Sequence, residues 1–145
     1  MVYGHGGVED LATAFVEAWN RHDMQALAAL FTEDAHFVNV VGMWWKSRAE
    51  IEAAHAATHA SIFKNSHLDA RVAAKTPLGS GMTALHVTWR LTGQTQPDGT
   101  PSGPRRGILL LIASEAPDGW RIRVAQNTDI MPGILAPSSD EASIP

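Results

Sequence analysis

The chain contains no cysteine, so disulfides, thiolate nucleophiles and thiolate zinc sites are excluded, while its redox compartment stays open. Long apolar runs are also missing: the longest, residues 108–113, falls far short of the roughly 20 residues that a membrane-crossing helix needs. Basic charge is scarce. Eleven Lys and Arg against fifteen Asp and Glu leave a net charge of −4, and no basic run exceeds Arg105-Arg106, so nucleic acid is not an expected partner. The opening Met1-Val2-Tyr3-Gly4-His5-Gly6-Gly7 lacks the basic start and apolar block of a signal peptide, which makes a cytoplasmic location the expectation. Ser61, Ser66 and Ser80 sit in no glycine elbow, which argues against serine nucleophiles. The chain has no internal repeat.

What is present fits one domain of 145 residues with a single hydrophobic centre. Leu11, Ala14, Phe15, Ala18 and Trp19 recur at helical spacing from about residue 8 and predict a first helix. Asp23 is placed to cap a short second helix carrying Met24, Leu27, Ala28 and Phe31, after which Thr32-Glu33-Asp34 reads as a turn. Residues 37–41 are β-rich, Gly42 turns the chain, and Met43-Trp44-Trp45 runs back beside them. Ser47-Arg48-Ala49-Glu50 has the form of a capping box and opens a third helix expected to reach about Phe63.

Beyond it the period drops to two. Residues 82–92 alternate, with Leu85, Val87, Trp89 and Leu91 on one side and His86, Thr88, Arg90 and Thr92 on the other; either face suits the interior. A loose Pro- and Gly-rich tip over residues 94–104 precedes an apolar strand over 105–114. Pro117-Asp118-Gly119 then turns into a last strand carrying Trp120, Ile122 and Val124 on one side. Without a bulge, Gln126 and Thr128 inherit that apolar side and face the core or a cavity. The layout is α+β: three helices in the N-terminal half packed on a strongly curved, mostly antiparallel sheet, whose cone is filled by side chains or left open for a ligand. The domain is expected over residues 8–133, with flexible tails at 1–7 and 134–145.

At helical spacing His55 lies among Ile51, Thr58 and Ile62 on an inward face, and His59 follows one turn later at its edge. Beside mostly small neighbours, these rings read equally as core histidines satisfied by carbonyls or as cavity groups. With an ordinary pKa near ~6.5, His55 is the best-suited proton carrier, and desolvation would favour the base. His55 and His59 also have the i, i+4 spacing of a helical zinc pair, but no glutamate completes a His-Glu-x-x-His motif. Nothing requires His36, His67 or His86 as a third ligand, so no metal is expected.

Several segments carry a resemblance: Phe15-Val16-Glu17-Ala18-Trp19-Asn20, Leu30-Phe31-Thr32-Glu33-Asp34-Ala35, the glycine-aromatic turn and the closing Gly119-Trp120-Arg121-Ile122. Over about residues 8–133 the chain resembles the nuclear-transport-factor-2-like (NTF2-like) superfamily, which includes ketosteroid isomerases, SnoaL-like polyketide cyclases and scytalone dehydratase. Residues 37–45, 105–109 and 125–130 look like the SgcJ/EcaC group, often associated with natural-product pathways. The resemblance implies a conical α+β barrel, usually a homodimer, with a pocket between helices and sheet. It establishes no reaction; Trp19, Trp44 and Trp45 together suggest a flat-ring lining suited to a hydrophobic, polycyclic or unsaturated ligand, which in a natural-product pathway would be a polyketide-type intermediate. Setting residues 31–35 on the isomerase pattern places Asn39 where those enzymes carry a general-base aspartate, and Phe15 where they carry an oxyanion-binding tyrosine. An amide takes up no proton at neutral pH, so isomerisation by the usual residues is not expected.

The candidate set is therefore His55 and Asn39 for chemistry, and Phe15, Trp19, Trp44, Trp45, His59, Arg106, Gln126 and Thr128 for ligand contact. At most one of the strand neighbours Trp44 and Trp45 should face the cavity. Arg106 follows the parity of Ile108 and Leu110; it pairs with an anionic ligand, with Asp129, or reaches solvent as a strand-end residue. Asn39 and Gln126 either orient a substrate or only close backbone turns. Acid–base isomerisation, cyclisation or dehydration without a cofactor is one expectation. A non-catalytic ligand-binding or docking module is the other.

Overall fold

The structure is a computed structural model that describes residues 7–138. Its elements are α1 (Asp10–Asn20), α2 (Met24–Ala28), β1 (Phe31–Val38), β2 (Trp44–Trp45), α3 (Arg48–His59), β3 (His67–Gly79), β4 (Met82–Thr92), β5 (Arg105–Ala116) and β6 (Gly119–Asp129). Three helices pack on one face of a six-stranded, curved and unclosed sheet of order β2-β1-β6-β5-β4-β3. Every pairing is antiparallel except β1 with β6. Most of the expected tails falls outside the described residues. No helix among those described is long and apolar enough to cross a membrane.

Local chemistry explains most boundaries. Asp23 caps α2 by accepting from the Ala26 N–H, and Ser47 caps α3 by accepting from Glu50 N–H while Glu50 accepts in return from Lys46 N–H. The expected third helix ends at His59, earlier than Phe63. The Thr58 and Ser61 hydroxyls bond the carbonyls of Ala54, His55 and Ala57, and the Ser61 and Phe63 N–H groups both return to Thr58 O, closing the helix end. Thr32-Glu33-Asp34 is strand, not turn. Arg48 clasps Phe31 O through Nε (2.9 Å) and Nη2 (2.6 Å), and Leu30 O accepts from Ile122 N–H, so β1 starts immediately after α2.

β3 is absent from the reading of the sequence, although Leu68, Ala70 and Val72 alternate with Asp69 and Arg71 over its first half; beyond them Ala73-Ala74, Pro77 and Gly79 break the period. It is an edge strand, largely exposed, with Leu68 its one fully buried residue and Pro77 tolerated near its end. The Asn20 side chain fastens it to α1, donating to Leu68 O (2.9 Å) and accepting from Leu68 N–H (2.8 Å). In β4 the interior receives Leu85, Val87, Trp89 and Leu91.

The register of β6 is decided by a bulge. Ile112 pairs with Val124 but Ala113 pairs with Ile122, so Arg123 is an extra residue. Ile122 therefore faces in, and after the bulge it is Ala125, Asn127 and Asp129 that share its side, while Val124, Gln126 and Thr128 face out. Leu27, Phe31, Ile51 and Ile122, each 0% exposed, fill the end of the cone where β1 begins. Each such side chain contributes about 1.5–3 kcal/mol of burial. The other end, toward Asn39 at the end of β1, is open.

Candidate functional site

Between the helices and the sheet lies a cavity of about 580 Å³, within the roughly 300–1,000 Å³ range of small-molecule sites. Its wall is mainly apolar and aromatic. Phe15 and Trp19 come from α1, Phe37 and Trp45 from the β1–β2 pair, Phe63 from the turn after α3, and Trp89 from β4. The Trp19 indole N–H is met by Ser66 Oγ at 3.0 Å, which fixes that ring as wall. Trp89 lies across Gly107 of the neighbouring strand, where any side chain would collide with the indole and with Thr128 O.

His55 enters the cavity from α3 and is 6% exposed. Phe37 (5.3 Å), Trp45 (5.2 Å) and Trp19 (6.2 Å, ring centroids) surround its ring. Nδ1 lies 2.8 Å from Ile51 O and must donate to it, so the neutral ring carries its proton there and presents Nε2 as an acceptor. Burial pushes the His55 pKa below its ordinary value, and the bond to Ile51 opposes that shift only in part.

Three carboxamides line the same space in a common arrangement. Asn39 Oδ1 accepts from the backbone N–H of Val41 (3.1 Å) and Met43 (2.8 Å), closing the β1–β2 turn. Asn127 Oδ1 accepts from Trp89 Nε1 (2.8 Å) and Thr128 N–H (3.1 Å), and Gln94 Oε1 accepts from Arg105 Nη1. Because each oxygen is held by a donor, each NH2 group is left as the free end, with no acceptor among the described residues. Beside them Arg105 donates to Asp129 Oδ1 through Nη2 (3.0 Å) and Nε (3.3 Å), with its guanidinium 5.5 Å from the Trp89 ring.

Of the residues singled out in the sequence, Phe15, Trp19, Trp45, Asn39 and His55 line the cavity together. Trp44 is 55% exposed and donates to His36 Nδ1 (3.0 Å) outside it. Arg106 borders a shallow groove on the outer sheet face with Arg71 and Arg90, and Gln126 and Thr128 are exposed on that face too. His59 is buried behind Trp19, its Nδ1 2.8 Å from His22 Nδ1 and its Nε2 without a partner among the described residues. Gln94, Arg105, Asn127 and Asp129 were missed, the last three through strand parity and Gln94 because it lies in the loop after β4. Gly107, a gap that only an inward Trp89 would fill, was the signal that odd positions of β5 face in.

An apolar cone with one buried neutral imidazole, a row of amide donors and one closed ion pair defines a small-molecule pocket protein of the NTF2-like type. The chain belongs to the SnoaL-like family, whose profile matches residues 12–125. An uncharacterized protein with a cystatin-like fold from Caulobacter vibrioides is 30% identical, with a TM-score of 0.80 over 89% of this chain and 91% of that one. A ketosteroid isomerase-like protein from Erwinia carotovora is 15% identical (TM-score 0.71; 86% of this chain, 95% of that one). A candidate scytalone dehydratase from Novosphingobium aromaticivorans is 13% identical (TM-score 0.75; 86% and 82%); at such identities the likeness is one of fold. None of the curated proteins compared with the chain matches it.

Proposed function

We propose that the protein binds a hydrophobic, polycyclic or unsaturated small molecule carrying a carbonyl-type oxygen, and moves a proton on it through His55. The observation that carries this reading is the neutral His55 ring, lowered in pKa by burial and lining a ligand-sized cavity with Nε2 free to accept. Nε2 takes a proton from the carbon next to the carbonyl, negative charge moves to the oxygen, and the amide N–H groups of Asn39, Asn127 and Gln94 are the donors available to it. The imidazolium returns the proton at another carbon, which completes an isomerisation; expulsion of a hydroxyl as water gives a dehydration. A polyketide-type intermediate is the substrate class that the likeness to SnoaL-like proteins supports. Asn39 then positions the substrate oxygen and accepts no proton.

The test is a thermal-shift and turnover screen of the purified protein and its His55→Leu variant against polycyclic ketones, phenols, polyenes and epoxides. A ligand at 100 times its Kd stabilises by about 2.7 kcal/mol. Turnover by the wild type that disappears in the variant, with the fold intact by circular dichroism, supports the reading; unchanged turnover removes His55 from the mechanism.

A second reading, a non-catalytic binding module, is favoured by one observation: the Asn39 oxygen is fully engaged in its turn and no carboxylate stands in its place. In either case the outer sheet face supports a homodimer. Ile108 (38% exposed) and Val124 (37%) stand there with the half-buried Leu110 and Ile112. Light scattering at micromolar concentration should give twice the monomer mass, and Ile108→Glu with Val124→Glu should return it to the monomer.

A further inference from the structure

The charges that face the cavity sum to zero. Of the lining residues, Arg105 and Asp129 alone are formally charged at neutral pH, and they are bonded to each other. Both side chains are mostly buried, 27% and 29% exposed, so solvent screens the pair incompletely. Three of the guanidinium's five N–H donors are engaged, the Nε–Nη2 edge by Asp129 Oδ1 and one Nη1 N–H by Gln94 Oε1, so the edge that would fork onto a second carboxylate through Nε is already closed by Asp129.

We infer that Asp129 is a specificity residue: by holding Arg105 it makes the cavity select uncharged oxygen-bearing ligands and reject carboxylates of the same shape. The inference rests on the reading of the cavity as a ligand site. A ketone, alcohol or epoxide oxygen finds neutral donors in the NH2 groups of Asn39, Gln94 and Asn127, and brings no charge with it. A carboxylate arriving at the same place meets the Asp129 charge and a cation that is already paired, and it exchanges its water for neutral amide donors alone, with no unpaired positive charge to offset the loss. Substituting Asp129 by Asn keeps the size of the side chain and its capacity to accept from Arg105, but removes the charge that opposes an anion. The cavity then holds one unneutralised guanidinium. A variant with a merely structural defect would lose affinity for both ligand kinds, whereas this one should gain affinity for one of them.

The experiment is isothermal titration at pH 7.5 of the full chain, as wild type, Asp129→Asn and Arg105→Gln/Asp129→Asn. The probes are matched sets built on naphthalene, anthracene and decyl frames, each as alcohol, methyl ketone and carboxylate. The wild type should bind the uncharged members at least ~10-fold more tightly than the carboxylates, and Asp129→Asn should tighten the carboxylates by ~10-fold or more while shifting the alcohols by less than ~3-fold. The double variant should lose that gain. Should the Asn variant not fold, Asp129→Ser removes the same charge and is read in the same way. A wild type that binds carboxylates as tightly as alcohols overturns the inference and leaves the ligand site standing. So does a folded charge-removed variant whose carboxylate affinity is unchanged. If no uncharged member of any set binds, the ligand-site reading itself falls, and this inference falls with it.

Discussion

Lowering the pH should weaken this protein well before its carboxylates protonate, and the cause lies in two buried imidazoles. His59 is 6% exposed, stacked edge-on against Trp19 (4.4 Å) and Phe63 (5.7 Å). Desolvation, reinforced by the neighbouring His22 and His55, pushes its pKa down to about 4. His55 is lowered in the same direction by burial. In the unfolded chain both rings titrate near ~6.5, so between that value and 4 the unfolded state binds more protons than the folded one, and stability falls as pH falls. The contribution is complete above ~6.5 and is lost progressively toward pH 4. For His59 the displacement from 6.5 to about 4 corresponds to at most roughly 3 kcal/mol, a large share of the ~5–15 kcal/mol that holds a domain together. Glu9, held low by its bond to Lys75, loses its contribution only in the ordinary carboxylate range, so the interval between pH 6.5 and 5 reports on histidine. Urea unfolding followed by circular dichroism at constant ionic strength should give a free energy that declines across that interval, and His59→Gln should flatten the decline. A wild-type free energy that stays level or rises from pH 6.5 to 5, or an unaltered slope in His59→Gln, would refute the argument.

Two further substitutions test how the site is built. Gly107→Ala should cost about 1–3 kcal/mol or more in urea unfolding, because the added methyl meets both the Trp89 indole and the Thr128 carbonyl, and the carbonyl belongs to a paired strand that cannot yield. Asn39→Ala should lose about 1–2 kcal/mol by freeing the Val41 and Met43 N–H groups, whereas Asn39→Asp, which retains the accepting oxygen, should unfold close to the wild type; equal losses in the two would mean that the turn does not depend on that oxygen.

Much of the architecture was legible because it is encoded locally. The caps at Asp23 and Ser47, the turn at Gly42 (φ +83°) and the alternation of Leu85, Val87, Trp89 and Leu91 each appear within a few residues of sequence and each forms as read. The inward face of α3 was equally plain, since helical spacing alone puts His55 beside Ile51. Elements whose stability is not local were harder to see. The apolar alternation of β3 covers only Leu68, Ala70 and Val72, and the strand is held by its neighbour β4 and by the Asn20 side chain, 48 residues away from Leu68. Thr32-Glu33-Asp34 has turn-like composition, yet pairing of the surrounding strand with β6 draws it into the sheet.

The candidate site divides along the same line. The sequence by itself determined a cone of three helices on a curved sheet and one inward histidine, because periodicity and capping act over one or two turns of chain. Apart from Asn39, which polar residues share the cavity with that histidine was decided by tertiary structure. A side chain in a strand alternates with period two, so one extra residue at Arg123 exchanges Gln126 and Thr128 for Asn127 and Asp129, and the facing parity of β5 brings in Arg105 where Arg106 had been expected. A bulge costs little locally and is stabilised by the packing of Ile122 and Ala125 on opposite sides of it, which no short stretch of sequence contains.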